Sequence, residues 1–405
     1  MSTFVRIPKA AEDPIYGLQV TFKKDERPQK INLSIGVFPE KEKGEAASPS
    51  KAFRFSVVDR AEERLLQKRL AKDYLPIDGL ASFCKLACDL VMGKEEGQNR
   101  PESKLKCYTA QTVGSTAALH IAGRFLAQHL SKKIFISDPT WVNHRKLFES
   151  AGLEVNTYPY CITADGKVDI EAFVQAINSM PEGSTIVLQA SCHNPTGVDP
   201  TDAEWKIISR AIFSRKLLPF FDIAYQGIGR GLDEDAFAIR LFFEEGHELL
   251  VATSFAKNLG LYSERVGALI VACKEEDEVA VASQIRAVIR SIYSSPSAHG
   301  AHVASIILSD PELFSLWEKE LQGLRENLAN TRNLLHTALT QSGEQKVLPT
   351  LLKSTGLFTM CALSKEKVQA LREHQALYLC DDGRMNIAAI KPNQIESIAQ
   401  AVCEV

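Results

Sequence analysis

The chain has 405 residues, 45% hydrophobic and 24% charged, enough for a large core and more than one domain. Its 47 basic and 50 acidic residues leave a formal net charge of -3, which gives no electrostatic ground for a nucleic-acid or anionic-membrane partner. The start MSTFVRIPKAAEDPIYGL lacks the apolar run of a secretory signal, no apolar stretch reaches membrane-spanning length, and nine cysteines in so long a chain read as reduced structural thiols, so a cytoplasmic protein is expected.

Residues 1–30 read as an irregular arm with short turns, and INLSIGVFPE as a short strand or extended segment. KEKGEAASPS reads as a solvated loop. Residues 56–73 carry a strong helical period, Pro76 and Gly79 punctuate the turn YLPIDG, and 80–92 resume helical spacing. From Thr109 an α/β alternation begins: TVGSTAALHIAGRFLAQHL opens on small residues and becomes a helix. Strands follow at 133–139, LEVNTYPY, 184–190, 217–222, 248–254 and 267–273, with helices VDIEAFVQAIN and TDAEWKIISRAIFSRK among them. Strands apolar throughout, separated by helices, predict a mostly parallel sheet covered on both faces. After Ile285 the pattern changes. Residues 311–341 read as one long amphipathic helix, GLFTMCAL as a strand, KEKVQALREHQ as a helix, GRMNIAAI as a strand and the end as a capping helix. This tail predicts a smaller α+β domain packed against the N-terminal arm. The expected division is 1–50 for the arm and part of the small domain, 51–310 for a large domain and 311–405 for the rest of the small one.

The most informative segment is SFAKNLGLYSERVGALI. Lys257 stands among Phe255, Ala256, Leu259 and Leu261, a poorly hydrated setting that favours its neutral, nucleophilic amine. Such an amine suits an aldehyde cofactor, pyridoxal phosphate, held as a Schiff base. Ser254 and Lys257 also fit the S-x-x-K pattern of serine acylases, but the companion tripeptides Ser-Asp-Asn and Lys-Thr-Gly are absent. Gly114, Ser115 and Thr116 open a helix, a place for a phosphate, although an ordinary small-residue cap explains them too. Asp222 ends the strand FFD, where a carboxylate faces the ligand crevice of an open α/β sheet and keeps a pyridine nitrogen protonated; a strand-end cap is the plain alternative. Tyr225 and Asn194 stand where they can bond a phenolic oxygen, and Trp141 where it can stack on a ring. Arg265, Arg290 and Arg384 lie in weakly charged surroundings; singly they read as salt-bridge partners, together as one phosphate and two carboxylate clamps. Cys84 and Cys88 share a helix face, but no further His or Cys completes a metal site.

The ordered motifs YLPIDG, QTVGSTAAL, DPTWVNH, CHNPTGVDP, FDIAYQG, SFAKNLGLYSERVGAL, YSSPSAHGA and GRMNIA closely resemble the class I, fold-type I pyridoxal-phosphate aminotransferases of the aspartate/aromatic subgroup, from IYGL at 15–18 to the end. The resemblance implies an α/β fold, with a large domain built on a mostly parallel seven-stranded sheet and a smaller α+β domain. It implies Lys257 as the Schiff-base lysine and Asp222, backed by His144, at the ring nitrogen. Tyr225 and Asn194 would bond the phenolic oxygen, and Ser115, Thr116, Ser254 and Arg265 the phosphate, with Trp141 on the ring. Arg384 would hold the substrate α-carboxylate and Gly36 would pack beside the substrate. Tyr74 at the phosphate and Arg290 at the distal carboxylate would come from the neighbouring subunit of a homodimer with shared active sites. Gly114, Gln189, Ser295 and Phe38 depart from the family's usual serine, histidine, asparagine and tyrosine. The expected reaction is ping-pong transamination of L-aspartate, and of aromatic amino acids, with 2-oxoglutarate. Mainly aromatic activity is the alternative, followed by lyase or decarboxylase chemistry or a non-enzymatic cofactor-binding module.

Overall fold

The computed structural model describes residues 3–10, 14–38, 54–94, 100–343 and 347–404. The loop expected at KEKGEAASPS lies outside the described residues. In the first part of the chain the elements are α1 Pro14–Lys24, β1 Ile31–Asn32, α2 Ser56–Lys68, α3 Ala81–Met92, β2 Leu105–Val113 and α4 Gly114–His129. Then come β3 Lys133–Asp138, α5 His144–Ser150, β4 Glu154–Pro159, α6 Ile170–Ser179, β5 Thr185–Gln189, α7 Asp202–Ser214 and β6 Leu218–Ile223. After these stand α8 Phe237–Glu244, β7 Leu249–Ser254, β8 Val266–Lys274, α9 Glu278–Ile292 and α10 His299–Ser309. The last part holds α11 Pro311–Gln341, β9 Phe358–Met360, α12 Lys365–Gln375, β10 Leu377–Tyr378, β11 Arg384–Asn386 and α13 Ile395–Cys403.

One seven-stranded sheet runs in the order β2-β8-β7-β6-β5-β3-β4, with only β8 antiparallel to its neighbours. The direction of β8 has a simple cause. No helix separates it from β7, so the chain returns beside β7, Ser254 opposite Gly267, instead of crossing over. Strands β5, β6 and β7 are buried almost throughout, between a cluster around Phe173, Trp205 and Phe242 on one face and one around Leu119, Phe125 and Phe148 on the other. Two short pairs lie apart from it: β1 beside β10, parallel, and β11 beside β9, antiparallel. The first joins the N-terminal arm to the C-terminal part of the chain. Arg27 adds bonds to the carbonyls of Arg372 and Glu373 at the end of α12.

The structure corrects four element readings. The arm is not irregular: α1 occupies Pro14–Lys24, with proline at its first position and Lys23 and Lys24 in its last turn, both favourable helix-end signals. The helix expected to reach residue 73 stops at Lys68, because Arg69 turns left-handed at φ 45 as the C-cap. Strand β2 begins before Thr109; it is an edge strand with a half-exposed first portion, so it lacks the continuous apolar run of its neighbours. GRMNIAAI is a strand only over Arg384–Asn386, after which the Asn386 side chain accepts from Ala388 N at 3.0 Å and starts a tight turn. Among the described residues no helix is long and apolar enough to cross a membrane.

Candidate active site

The carboxyl ends of the parallel strands open on a cavity of about 170 Å³. The connections that leave these ends deliver its walls. The turn from β2 into α4 brings Ser115 and Thr116, the β3 exit Trp141, the β5 exit Asn194, the end of β6 Asp222 and Tyr225, and the end of β7 Ser254 and Lys257. Arg265 enters from the residue before β8, and Gly36, Phe358 and Arg384 close the cavity from the arm and the C-terminal part. Close backbone crossing makes this convergence possible. A Cβ at Gly267 would stand 2.7 Å from the Gly114 carbonyl carbon and 2.8 Å from Ser115 N, so β8 can meet the α4 N-terminus only through a glycine.

Asp222 is buried. Its Oδ2 meets His144 Nε2 at 3.1 Å, while its Oδ1 has no hydrogen-bond partner among the described residues. Thr140 Oγ1 lies 2.8 Å from His144 Nδ1. With that hydroxyl donating, the ring proton sits on Nε2 and is donated to Asp222. Gln189 stands one step behind: its Nε2 donates to Thr140 Oγ1 at 3.4 Å and to the Asn194 carbonyl at 3.0 Å, and its Oε1 accepts from Asn194 N at 2.8 Å. The glutamine thus grips the Asn194 backbone from both sides.

Lys257 Nζ lies 5.0 Å from the Tyr225 ring centroid. Burial lowers the lysine pKa; Asp222 opposes the shift, and Arg265 and Arg384 reinforce it. The outcome is a larger share of neutral amine than a solvated lysine carries. Burial raises the Tyr225 pKa, with Arg384 opposing, so its hydroxyl stays a donor at neutral pH. Arg384 is buried and forms no ion pair among the described residues. It donates from Nη1 to Asn194 Oδ1 at 3.0 Å and from Nη2 to the Ser34 carbonyl at 2.8 Å and to Cys380 Sγ at 3.3 Å. Its guanidinium carbon stands 4.4 Å from the Phe358 ring centroid. Phe358 also explains Gly36: a Cβ at that glycine would come within 2.7 Å of Phe358 Cζ.

The structure therefore brings together Gly36, Ser115, Thr116, Trp141, Asn194, Asp222, Tyr225, Ser254, Lys257, Arg265 and Arg384, with His144 behind Asp222. It does not bring in Tyr74 or Arg290. Tyr74 is 97% exposed and lines a separate groove with Ser295. Arg290 lies in the last turn of α9, against the Ser294 hydroxyl. Sequence reasoning missed Ile15, Ala224 and Phe358, which line the cavity, and Thr140, Ser34 and Cys380, which brace its polar groups. Most of these are apolar or act through a backbone atom and carry no chemical signal. Thr140, inside DPTWVNH, lies ahead of α5, so no helical spacing marked it.

The family model described as aminotransferase class I and II matches residues 28–402. The chain belongs to that family. It is 39% identical over 404 residues to an aspartate aminotransferase of Escherichia coli (strain K12), covering 99% of this chain and 100% of that one. Two crystal structures extend the likeness. An aromatic-amino-acid aminotransferase from Burkholderia pseudomallei, covalently bound to pyridoxal phosphate, superposes with a TM-score of 0.91 at 36% identity, covering 100% of this chain and 99% of that chain. A psychrophilic aromatic amino acid aminotransferase from Psychrobacter sp. B6, cocrystallised with aspartic acid, gives 0.91 at 34% identity, covering 99% of each chain.

The aminotransferase's cavity fits such a cofactor. The orphaned Asp222 Oδ1 is an acceptor awaiting a donor, as a protonated ring nitrogen would be. The α4 N-terminus, with two hydroxyls and Arg265 beside it, has the donors a dianion would need. Lys257, lining the same cavity, would supply the amine.

Proposed function

We propose that this pyridoxal-phosphate-dependent aminotransferase moves the amino group of L-aspartate, and of tyrosine and phenylalanine, to 2-oxoglutarate by a ping-pong route. Bound in the cavity, the cofactor supplies an aldehyde carbon that takes up the amino group and a ring that draws in the electron pair left at the substrate α-carbon. The rest is the work of this chain's residues. Ser115, Thr116, Ser254 and Arg265 would hold the phosphate, and Trp141 would lie against the ring. Asp222, oriented by His144, would keep the proton on the ring nitrogen. Tyr225 and the Asn194 amide would donate to the phenolic oxygen. Arg384 would fork onto the substrate α-carboxylate. The Lys257 amine would take the α-proton at Nζ and pass it to the carbon that was the cofactor's aldehyde, and its lowered pKa suits a base that works near neutrality.

The observation that carries this reading is the Asp222 oxygen with no partner among the described residues, in one cavity with a depressed-pKa lysine and a buried arginine that forms no ion pair among them. Aspartate use rests on Arg290 as the distal carboxylate clamp. Aromatic use rests on Ser295, which is smaller than asparagine and leaves that arginine freer to swing aside. The Psychrobacter aromatic enzyme that holds aspartic acid supports a pocket open to both. The test compares kcat/KM for aspartate, tyrosine and phenylalanine in wild type and Arg290→Ala. We expect aspartate activity to fall at least about 100-fold, the scale of a lost charge-assisted pair, with phenylalanine much less affected. Equal losses across the three would make Arg290 structural. Alanine and carbon dioxide as the products from aspartate would mean decarboxylation instead.

A further inference from the structure

Two arginines are buried among the described residues, Arg384 and Arg332, and neither takes part in an ion pair there. Arg384 faces the cavity already described. Arg332, 6% exposed, lines a different one of about 150 Å³, between α11, the Ile228–Gly229 turn and residues 352–356. Arg325 lines the same cavity from seven residues earlier on α11, two turns away on the same helix face. Among the described residues no carboxylate lines it.

The arginines' known contacts leave donors over. Arg332 Nε donates to Ser354 Oγ at 3.1 Å, and its Nη2 to the Gly356 carbonyl at 2.7 Å and the Phe358 carbonyl at 3.5 Å. Its Nη1 has no acceptor among the described residues. Arg325 Nη1 donates to the Gly227 carbonyl at 2.6 Å, which leaves its Nη2 and Nε. The hydroxyls nearby are already engaged: Ser354 donates to the Leu351 carbonyl and Thr355 to Asp199. A guanidinium taken out of water with only neutral acceptors is costly, and a second cation on the same wall adds repulsion. Burial pulls the Arg332 pKa down to about 10, which still leaves it charged at neutral pH.

We propose that this cavity is a second anion site, separate from the catalytic one, in which Arg325 and Arg332 bind a small tetrahedral oxyanion of the inorganic phosphate type. The open edge of Arg325 and the spare Nη1 of Arg332, on one helix face, suit an ion with several equivalent oxygens better than a single carboxylate. The ligand would fasten α11 to the 354–358 segment, whose last residue, Phe358, packs under Arg384 and against Gly36. Occupancy of the second site would therefore steady one wall of the first.

The test is calorimetric titration of inorganic phosphate into borohydride-reduced holoenzyme carrying Arg384→Ala. The reduced cofactor keeps its own phosphate in place, and the substitution removes the carboxylate clamp as a competing site. One saturable site is expected. Adding Arg325→Ala, a half-buried position that perturbs folding little, should weaken it at least about ten-fold, as should Arg332→Lys, which keeps charge but loses the spare Nη1. No saturable binding, an affinity unchanged in Arg325→Ala, or equal heats from chloride at the same ionic strength would overturn the proposal. Because the Arg325→Ala result does not involve catalysis, it stands or falls separately from the transamination reading.

Discussion

At Gly114 the backbone takes φ +72, and a Cβ there would lie 2.5 Å from Arg265 Nη2. The glycine that departs from the family's usual serine is thus tied to where this chain holds Arg265, the arginine proposed for the phosphate. Gly114→Ala should force both a left-handed alanine and a displaced guanidinium, together about 1–2 kcal/mol. Titration of the apoenzyme with pyridoxal phosphate should show roughly ten-fold weaker binding; unchanged affinity would mean that Arg265 has a second position of equal quality. Residues of this kind mark how far the sequence could be read. Lys257 and Asp222 are conspicuous because each puts a charged group into an apolar stretch, and Arg265 and Arg384 because each directly precedes one. Phe358 and Ile15 are conspicuous to nothing but the fold, since an apolar side chain at a cavity wall looks like one in the core. Ser34 serves through its carbonyl oxygen, which every residue has.

Among the elements, the central strands were legible because parallel strands buried on both faces are apolar throughout. The edge strand β2 and the arm helix α1 were not, since each has one solvated side that dilutes the pattern. Helix α11 was read with its ends, and the reason lies at its start: Asp310 accepts from Glu312 N and Leu313 N, both at 3.0 Å, ahead of Pro311. What the helix does was not readable. Its fully buried Trp317 donates Nε1–H to the Asn258 carbonyl at 2.7 Å, one residue beyond Lys257. The long helix therefore buttresses the turn that carries the lysine. Trp317→Phe removes the donor, leaves a buried carbonyl unpaired and opens a void, a loss of about 2–3 kcal/mol. Urea denaturation measures it, and a loss under 0.5 kcal/mol, the range of neutral surface changes, would show that water takes over the bond.

At the scale of the whole molecule, the arm and the C-terminal part are one body through β1 beside β10, a pairing 346 residues apart between Ile31 and Leu377 that no local pattern could announce. A division at residues 50 and 310 stays a proposal, because α11 itself bonds the Asn258 and Gly227 carbonyls of the large part. Tyr74 and Arg290 remain outside the cavity of their own chain, as residues given to a second copy would. If the sites are shared, mixing inactive Lys257→Ala with inactive Arg290→Ala should restore part of the aspartate activity through hybrid dimers, up to about a quarter of wild type if chains pair at random and each hybrid has one intact site. No recovery despite proven subunit exchange would confine each site to one chain. The central claim is narrower than any of this: one lysine, Lys257, stands where the cofactor's aldehyde must be. Borohydride reduction of the loaded enzyme followed by peptide mass spectrometry tests it most directly. The account predicts a stable pyridoxyl adduct on Lys257 and its disappearance in Lys257→Ala; an adduct on a different lysine of the wild type would contradict it.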